Sequence, residues 1–322
     1  MEIQNRRRRS LLLAAAILIV SAPASIHAEE AYPNRQITVV NGNAAGSGPD
    51  IIARHFSEAV RHKSGQTVIV ENKVGALTNI ASQRVAQARP DGYTVLMGSG
   101  SSAFAINSAI FKSLPFDPLA DFDPITSTIT TPFAFAVAEN SKIGSFAELV
   151  KMIREKKGRA LFGYPNSISL AAAELLKQRL NLEAVGVAFK SIPDTHAALA
   201  AGEIDFFVSD LTFRRGKLLA LTTAERSPVA EGVPGAREVG LEDFDLYSWF
   251  GVWAPRGTPE HVKAKLAGWI EESVRSEATR VKFAAMGYVP WPGVNGEAFR
   301  TFTAAEIKKW KAIVEIAKIP TL

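Results

Sequence analysis

Residues 36–62 read QITVVNGNAAGSGPDIIARHFSEAVRH, and this stretch decides the fold class. Gln36-Ile37-Thr38-Val39-Val40 is a short apolar run rich in β-branched side chains, which predicts a buried strand. From Pro49 to His62, Ile52, Phe56, Ala59 and Val60 recur at i, i+4, i+7 and i+8, the spacing of one helix face. Between the two lies Asn41-Gly42-Asn43-Ala44-Ala45-Gly46-Ser47-Gly48-Pro49-Asp50. Strand, Gly-rich turn and helix in that order open an α/β unit. Ser47-x-x-Asp50 fits a capping box, and Pro49 falls in the first turn, where its missing N–H does no harm.

The alternation continues downstream. Val68-Ile69-Val70 predicts a second strand, 80–88 a helix, and Thr94-Val95-Leu96-Met97 a third strand. The pattern then restarts, with strands at 133–138, 161–163, 185–189, 204–208 and 218–222. Helices are expected at 145–157, 170–180 and 194–201, the last ended by Gly202. Tyr247 to Ala254 is a long apolar strand, and after Pro255-Arg256-Gly257-Thr258-Pro259 the chain reads as helical at 260–275, 277–286 and 296–317. Short apolar strands between amphipathic helices predict mostly parallel sheets flanked by helices, an α/β fold. Two such units and a helical tail predict two lobes with a cleft between them. Residues 29–130 and 250–322 would form one lobe and 131–249 the other. The crossings are expected near 125–132 and 246–254, with the tail packing back on the first lobe.

The amino terminus has its own signature. Arg6 to Arg9 precede an apolar run over 11–20 and then small residues up to Ala28. Basic, apolar and small segments in that order make a secretory signal peptide, and the apolar run is about half the 20 residues a membrane span needs. Arg8-Arg9-Ser10-Leu11-Leu12 also loosely fits a twin-arginine export signal. Cleavage after Ala28 would release a periplasmic protein. With no cysteine, the chain carries neither a lipid-anchored cysteine nor a disulfide. Residues 1–28 hold four of the 37 basic and one of the 32 acidic residues, so the remainder has a net charge of only +2. No basic stripe argues for a nucleic-acid partner.

The Gly-rich turn allows a ligand close to the backbone, and the helix start behind it offers free N–H groups that suit an anion. The turn lacks G-x-G-x-x-G and is not followed by G-K-S/T, so it is neither a dinucleotide nor a phosphate loop. Its candidates are Asn43, Ala45, Gly46 and Ser47. Gly75-Ala76-Leu77-Thr78-Asn79 and Gly98-Ser99-Gly100-Ser101-Ser102 follow the next two strands in the same way, adding Thr78, Asn79, Ser99, Ser101 and Ser102. The second unit repeats the theme in Gly163-Tyr164-Pro165-Asn166-Ser167-Ile168-Ser169, with Asn166, Ser167 and Ser169 as candidates. Carboxyl ends of parallel strands are where open α/β sheets bind ligands. Taken singly, each of these polar residues also reads as a helix cap. His55, His62, His196 and His261 have no metal-ligand spacing, and no G-x-S-x-G elbow is present. The residues therefore predict a binding protein without cofactor or metal, not an enzyme. Trp249, Phe250 and Trp253 are expected in core or hinge packing.

Specific segments now carry a resemblance. They are Tyr32-Pro33, Asp50-Ile51-Ile52-Ala53-Arg54, Val70-Glu71-Asn72-Lys73 with Gly75 and Asn79, and Pro90-Asp91-Gly92-Tyr93-Thr94. Ala105-Ile106-Asn107, Leu114-Pro115-Phe116-Asp117-Pro118 with Asp121-Phe122, and Gly202-Glu203-Ile204-Asp205 follow. Trp249-Phe250-Gly251, Ala254 to Pro259, and Glu306-Ile307 with Trp310 complete the set. The chain resembles the receptors of the tripartite tricarboxylate transporter family, the Bug receptors. That resemblance implies a two-lobed Venus-flytrap receptor, monomeric, that delivers small organic carboxylates to a two-protein membrane transporter. A receptor of the same shape that signals to a membrane sensor kinase is the alternative. In the family one carboxylate is held by the three first-lobe loops, and a second-lobe loop closes over the other end of the ligand. Here Leu170 stands where a histidine is common, Phe189-Lys190-Ser191 replaces Tyr-Lys-Gly, and Ser209-Asp210 replaces Asp-Asn. The resemblance thus adds Lys190, Ser191 and Asp210 to the candidate site. An acid at Asp210 would repel a ligand carboxylate unless paired with Lys190, Arg214 or a cation on the ligand. It points to a solute with an amino group or a single carboxylate.

Overall fold

The computed structural model describes residues 32–211, 216–319 and 321, so the expected signal peptide over 1–28 lies outside the described residues. The first half of the sheet is built as the pattern implies. Strand β1 (Ile37–Asn41) leads into α1 (Gly48–Ser64), β2 (Val68–Asn72) into α2 (Asn79–Ala86), and β3 (Thr94–Ser99) into a π-helical turn over Ser101–Ile106 and α3 (Asn107–Ile110). The second half follows as α4 (Phe146–Glu155), β5 (Ala160–Tyr164), α5 (Ser167–Leu180), β6 (Ala184–Ala188), α6 (Ile192–Ala201), β7 (Phe206–Asp210) and β8 (Lys217–Leu221). Between the halves run β4 (Phe122–Val137) and β9 (Tyr247–Pro255). Helices α7 (Glu260–Val274) and α8 (Glu277–Ala284), strand β10 (Val289–Pro290) and helix α9 (Gly296–Ile316) close the chain.

The ten strands of the described residues belong to one sheet, in the order β2-β1-β3-β9-β4-β7-β5-β6, with β8 and β10 also pairing β4. Pairs β1–β2, β1–β3, β5–β6 and β5–β7 are parallel, as the alternation of strands and helices requires. The shared strands change the overall character of the sheet. Strand β9 is antiparallel to β3 and β4, and β7, β8 and β10 are antiparallel to β4, so the sheet is mixed where mostly parallel sheets were expected.

The crossing near 125–132 is itself strand. Residues 122–132 of β4 pair with β9, and 133–137 pair with β7 and β8. Proline cannot donate to a ladder and is confined to edges and bulges. Accordingly, the register shifts between Pro124 and Thr126, and Pro132 stands where the partner strand changes. The two halves thus form one compact unit, Arg35–Leu322.

Helix α1 buries Ile52, Ala53, Phe56 and Val60 and ends at Gly65, whose φ of 68° only glycine adopts freely. The expected capping box does not form. The Ser47 hydroxyl donates to Ala44 O at 2.6 Å rather than capping the helix, while Asp50 reaches back to the Gly46 N–H at 2.8 Å. Helix α9 packs on the π-helical turn, α3 and β4, as expected of a tail on the first half, and it also meets α5 of the second half. Trp249 and Trp253 lie fully in the core against Phe299 of α9.

Candidate functional site

The turn before α1 is stapled at both ends. Asn41, fully buried at the end of β1, accepts the Asn43 N–H at 2.7 Å and donates to Pro49 O at 3.0 Å. Asn72, its register partner on β2, donates to Asn43 O at 2.9 Å and to Asp50 Oδ1 at 2.8 Å. Asp50 is buried and also takes Arg54 Nε at 2.9 Å. Burial works to raise its pKa, but the bonds from Arg54, Asn72 and Gly46 outweigh it and hold the carboxyl below its ordinary value. The Gly46 N–H is therefore committed to Asp50, and the Ser47 N–H to Ala44 O at 3.2 Å. Among the described residues, the N–H groups of Ala44 and Ala45 are not taken by any such bond.

The second loop touches the first. A Cβ at Gly42 would lie 2.6 Å from Thr78 Cβ, so glycine there lets Thr78 approach the β1 turn. Ala76, Leu77 and Thr78 have φ of 44°, 51° and 76°, three successive non-glycine residues in left-handed backbone. Each costs on the order of 1 kcal/mol, and strain of this kind collects at ligand sites. Asn107 holds the loop in place, donating to Leu77 O at 2.7 Å and to Asn79 Oδ1 at 2.8 Å. The Asn79 side chain is thereby engaged in shaping the loop.

At the end of β3, Ser99, Ser101 and Ser248 form a buried knot of hydroxyls with mutual Oγ–Oγ distances of 2.9, 3.0 and 2.9 Å. Ser102 donates its N–H to Ser99 Oγ at 3.3 Å. Ser248 belongs to β9, so the knot ties the third loop to a strand that both halves share. A Cβ at Gly100 would fall 1.9 Å from the Trp249 ring, so the loop packs directly on that indole.

In the second half several candidates serve as caps. Asn166 Oδ1 accepts the Ser169 N–H at 2.9 Å, and Ser191 Oγ accepts the Asp194 N–H at 3.2 Å. Ser167 is half-buried, Lys190 is exposed, and Asp210 ends β7 opposite Phe133 of β4.

Three buried oxygens in these loops have no hydrogen-bond partner among the described residues: Asn43 Oδ1, Thr78 Oγ1 and Ser169 Oγ. Two sit on loops of the first half and one, Ser169, in the first turn of α5 in the second. A buried polar atom left unpaired costs about 1–3 kcal/mol, so each is a place for a ligand or an ordered water. Sequence reasoning named these three residues but missed Asn41, Asn72, Asn107 and Ser248, which hold the loops in shape. Asn72 and Asn107 lie within segments that carried the family resemblance, Ser248 directly precedes another, and Asn41 opens the Gly-rich turn, but none of them carries a local mark of its supporting role.

A cavity of 880 Å³ lies away from these loops, at the far end of β4 and β9, lined in part by Asp123, Arg256, Lys263, Glu271 and Arg300. Its central carboxylate is already satisfied: Asp123 takes Arg256 at 3.0 Å, Arg300 at 2.9 Å and the Gly257 N–H at 2.8 Å. It is about 20 Å along β9 from Ser248. Among the described residues no group of three His, Cys, Asp or Glu side chains is placed to hold a metal, and no helix is long and apolar enough to cross a membrane.

Comparison with known proteins agrees with this architecture. The family model for the tripartite tricarboxylate transporter family receptor matches residues 52–319. Protein BugT of Bordetella pertussis is 29% identical over 307 residues, covering 92% of this chain and 92% of BugT. The structure of R. palustris Rpa4515 with adipate has a TM-score of 0.80 at 27% identity, over 90% of this chain and 100% of that one. MatC from Rhodopseudomonas palustris with bound malate has a TM-score of 0.75 at 28% identity, over 88% and 100%.

Proposed function

The chain belongs to the tripartite tricarboxylate transporter family of receptors, and on that premise we propose that it captures a small organic acid between the halves of its sheet and hands it to the membrane transporter. One carboxylate sits at the turn before α1, taken by the N–H groups of Ala44 and Ala45, the helix start and the Thr78 hydroxyl. Ser169 and Lys190 close on the other end of the solute. What supports this reading is the set of unpartnered buried oxygens at Asn43, Thr78 and Ser169, two on first-half loops that touch each other and one in the first turn of α5. The relatives support the solute class, since one was solved with adipate and another with malate. Asn43 Oδ1 is an unpartnered acceptor, so the ligand carries a donor, an amino or hydroxyl group, beside its carboxylate. The protein binds without catalysing, and works as a periplasmic monomer once residues 1–28 are removed.

The test is a thermal-shift screen of mono-, di- and tricarboxylates, hydroxy acids, amino acids and aromatic acids. A ligand at 100 times its Kd adds about 2.7 kcal/mol to stability, which a melting curve resolves easily. The reading fails if no acid in the screen raises Tm.

A further inference from the structure

Gly287 and Tyr288, just ahead of β10, touch both halves of the sheet. A Cβ at Gly287 would lie 2.4 Å from Leu211 O, so this backbone is pressed against the exit of β7, one residue past Asp210. Its φ of 79° also calls for glycine. Tyr288 then crosses to the first half. The ring is held edge-on by Phe250 of β9 at 6.1 Å and Phe283 of α8 at 6.0 Å, and the residue is only 3% exposed. Its hydroxyl rests on the first turn of α1: a Cβ at Gly48 would fall 2.0 Å from that oxygen. Glycine at this position makes room for a phenol.

Among the described residues the hydroxyl has no hydrogen-bond partner. Burial, and after it the charge of Asp210, raises the phenol pKa above the ordinary tyrosine value. At physiological pH the group is therefore a proton donor and cannot act as an anion. An unpartnered donor, nine-tenths buried and aimed at a helix start with free N–H groups, lacks one thing, an anionic acceptor.

We propose that Tyr288 donates its hydroxyl proton to the ligand carboxylate held at the start of α1, and so is a specificity-determining residue of the site. The assignment rests on the carboxylate-receptor reading and deepens it. The N–H groups of the turn accept any acceptor of the right shape. A rigid phenol wedged between Phe250 and Phe283 fixes where one carboxylate oxygen must lie. It also favours the charged acid over its amide, because a hydrogen bond to a charged group is about twice as strong as one to a neutral group.

The experiment measures binding of adipate, L-malate and L-glutamate by calorimetry to the wild-type chain and to Tyr288→Phe, which keeps the ring and removes only the donor. Affinity for whichever acid binds should fall about ten- to a hundredfold, with the ligand-free Tm little changed. Gly48→Ala, whose methyl would dislodge the hydroxyl, should weaken binding to a similar degree without touching Tyr288. Combining the two should cost no more than either alone. If the wild type binds an acid and both variants bind it equally well, the assignment of Tyr288 is wrong and the receptor reading stands. If the wild type binds none of the three while another acid in the wider screen raises Tm, the same comparison is made with that acid. If no acid binds at all, the receptor reading falls, and this inference with it.

Discussion

The indole N–H of Trp249 donates a 3.1 Å hydrogen bond to the carboxylate of Glu306, with both residues buried. The bond joins the shared strand β9 to helix α9. Lys309 completes the arrangement, pairing with Glu306 at 2.5 Å and lying over the Tyr247 ring at 5.2 Å. Trp249→Phe leaves the buried carboxylate short of a partner, so the unfolding free energy should drop by about 2 kcal/mol or more. Chemical denaturation checks this. Equal midpoints for the two proteins would mean that the bond contributes nothing.

The turn before α1 separates main-chain from side-chain recognition. The Ser47 hydroxyl is spent on Ala44 O, so Ser47→Ala should weaken acid binding about tenfold or less. Ala45→Pro deletes an N–H assigned to the ligand in the proposed site and fixes φ, and should weaken binding far more. Circular dichroism first establishes that the proline variant is folded. A folded variant with normal calorimetric affinity would make the loop an ordinary turn.

Asp210 stands at the end of β7 beside the Gly287–Leu211 contact, and its charge acts on the Tyr288 phenol. Asp210→Asn removes the negative charge and restores the amide more usual in these receptors. Dicarboxylates should then gain affinity relative to amino and hydroxy acids. An unaltered ranking across the acid panel places the residue outside the site.

His55 predicts a pH effect on stability. Its ring sits between α1 and α8, 2.7 Å from Thr279 Oγ1 and 3.3 Å from Lys282 Nζ, and edge-on to Phe56 and Phe283. Burial, and then the Lys282 charge, lowers its pKa from 6.5 to about 4. Between those values the unfolded chain binds a proton that the folded chain does not. The contribution is present in full above about pH 6.5 and is lost as pH falls toward 4. His55→Gln should therefore flatten the fall in Tm across that window. Parallel Tm curves for the two proteins would contradict the assignment.

Much of this molecule was legible before its structure. Strands and helices up to α2 follow from apolar periodicity, and Gly65 and Gly202 end their helices as sequence rules require. The first eleven residues of β4 did not show. Pro124 and Pro132 read as breakers, yet one sits at a register shift and the other where the partner strand changes, places that need no N–H from them. At the site, small polar loops on three strand ends could be seen, because glycine and serine beside apolar runs are a local signal. Ser248 and Tyr288 could not be seen. Each lies far along the chain from the loop it serves, and only the folded sheet brings them together.

Strand β4 makes the two halves inseparable in another sense. Phe122 to Pro132 pair with β9, Phe133 to Val137 pair with β7 and β8, and no linker intervenes. Exchanging the second half for that of another receptor is therefore not a matter of joining two modules. A graft must enter and leave within the hydrogen-bonded ladder, and a shift of one residue at the junction would turn every later side chain of the strand to the opposite face. Variation in what such a receptor recognises thus falls to the loops after β1, β2, β3, β5 and β6, while the shared strands β4 and β9 must be inherited whole.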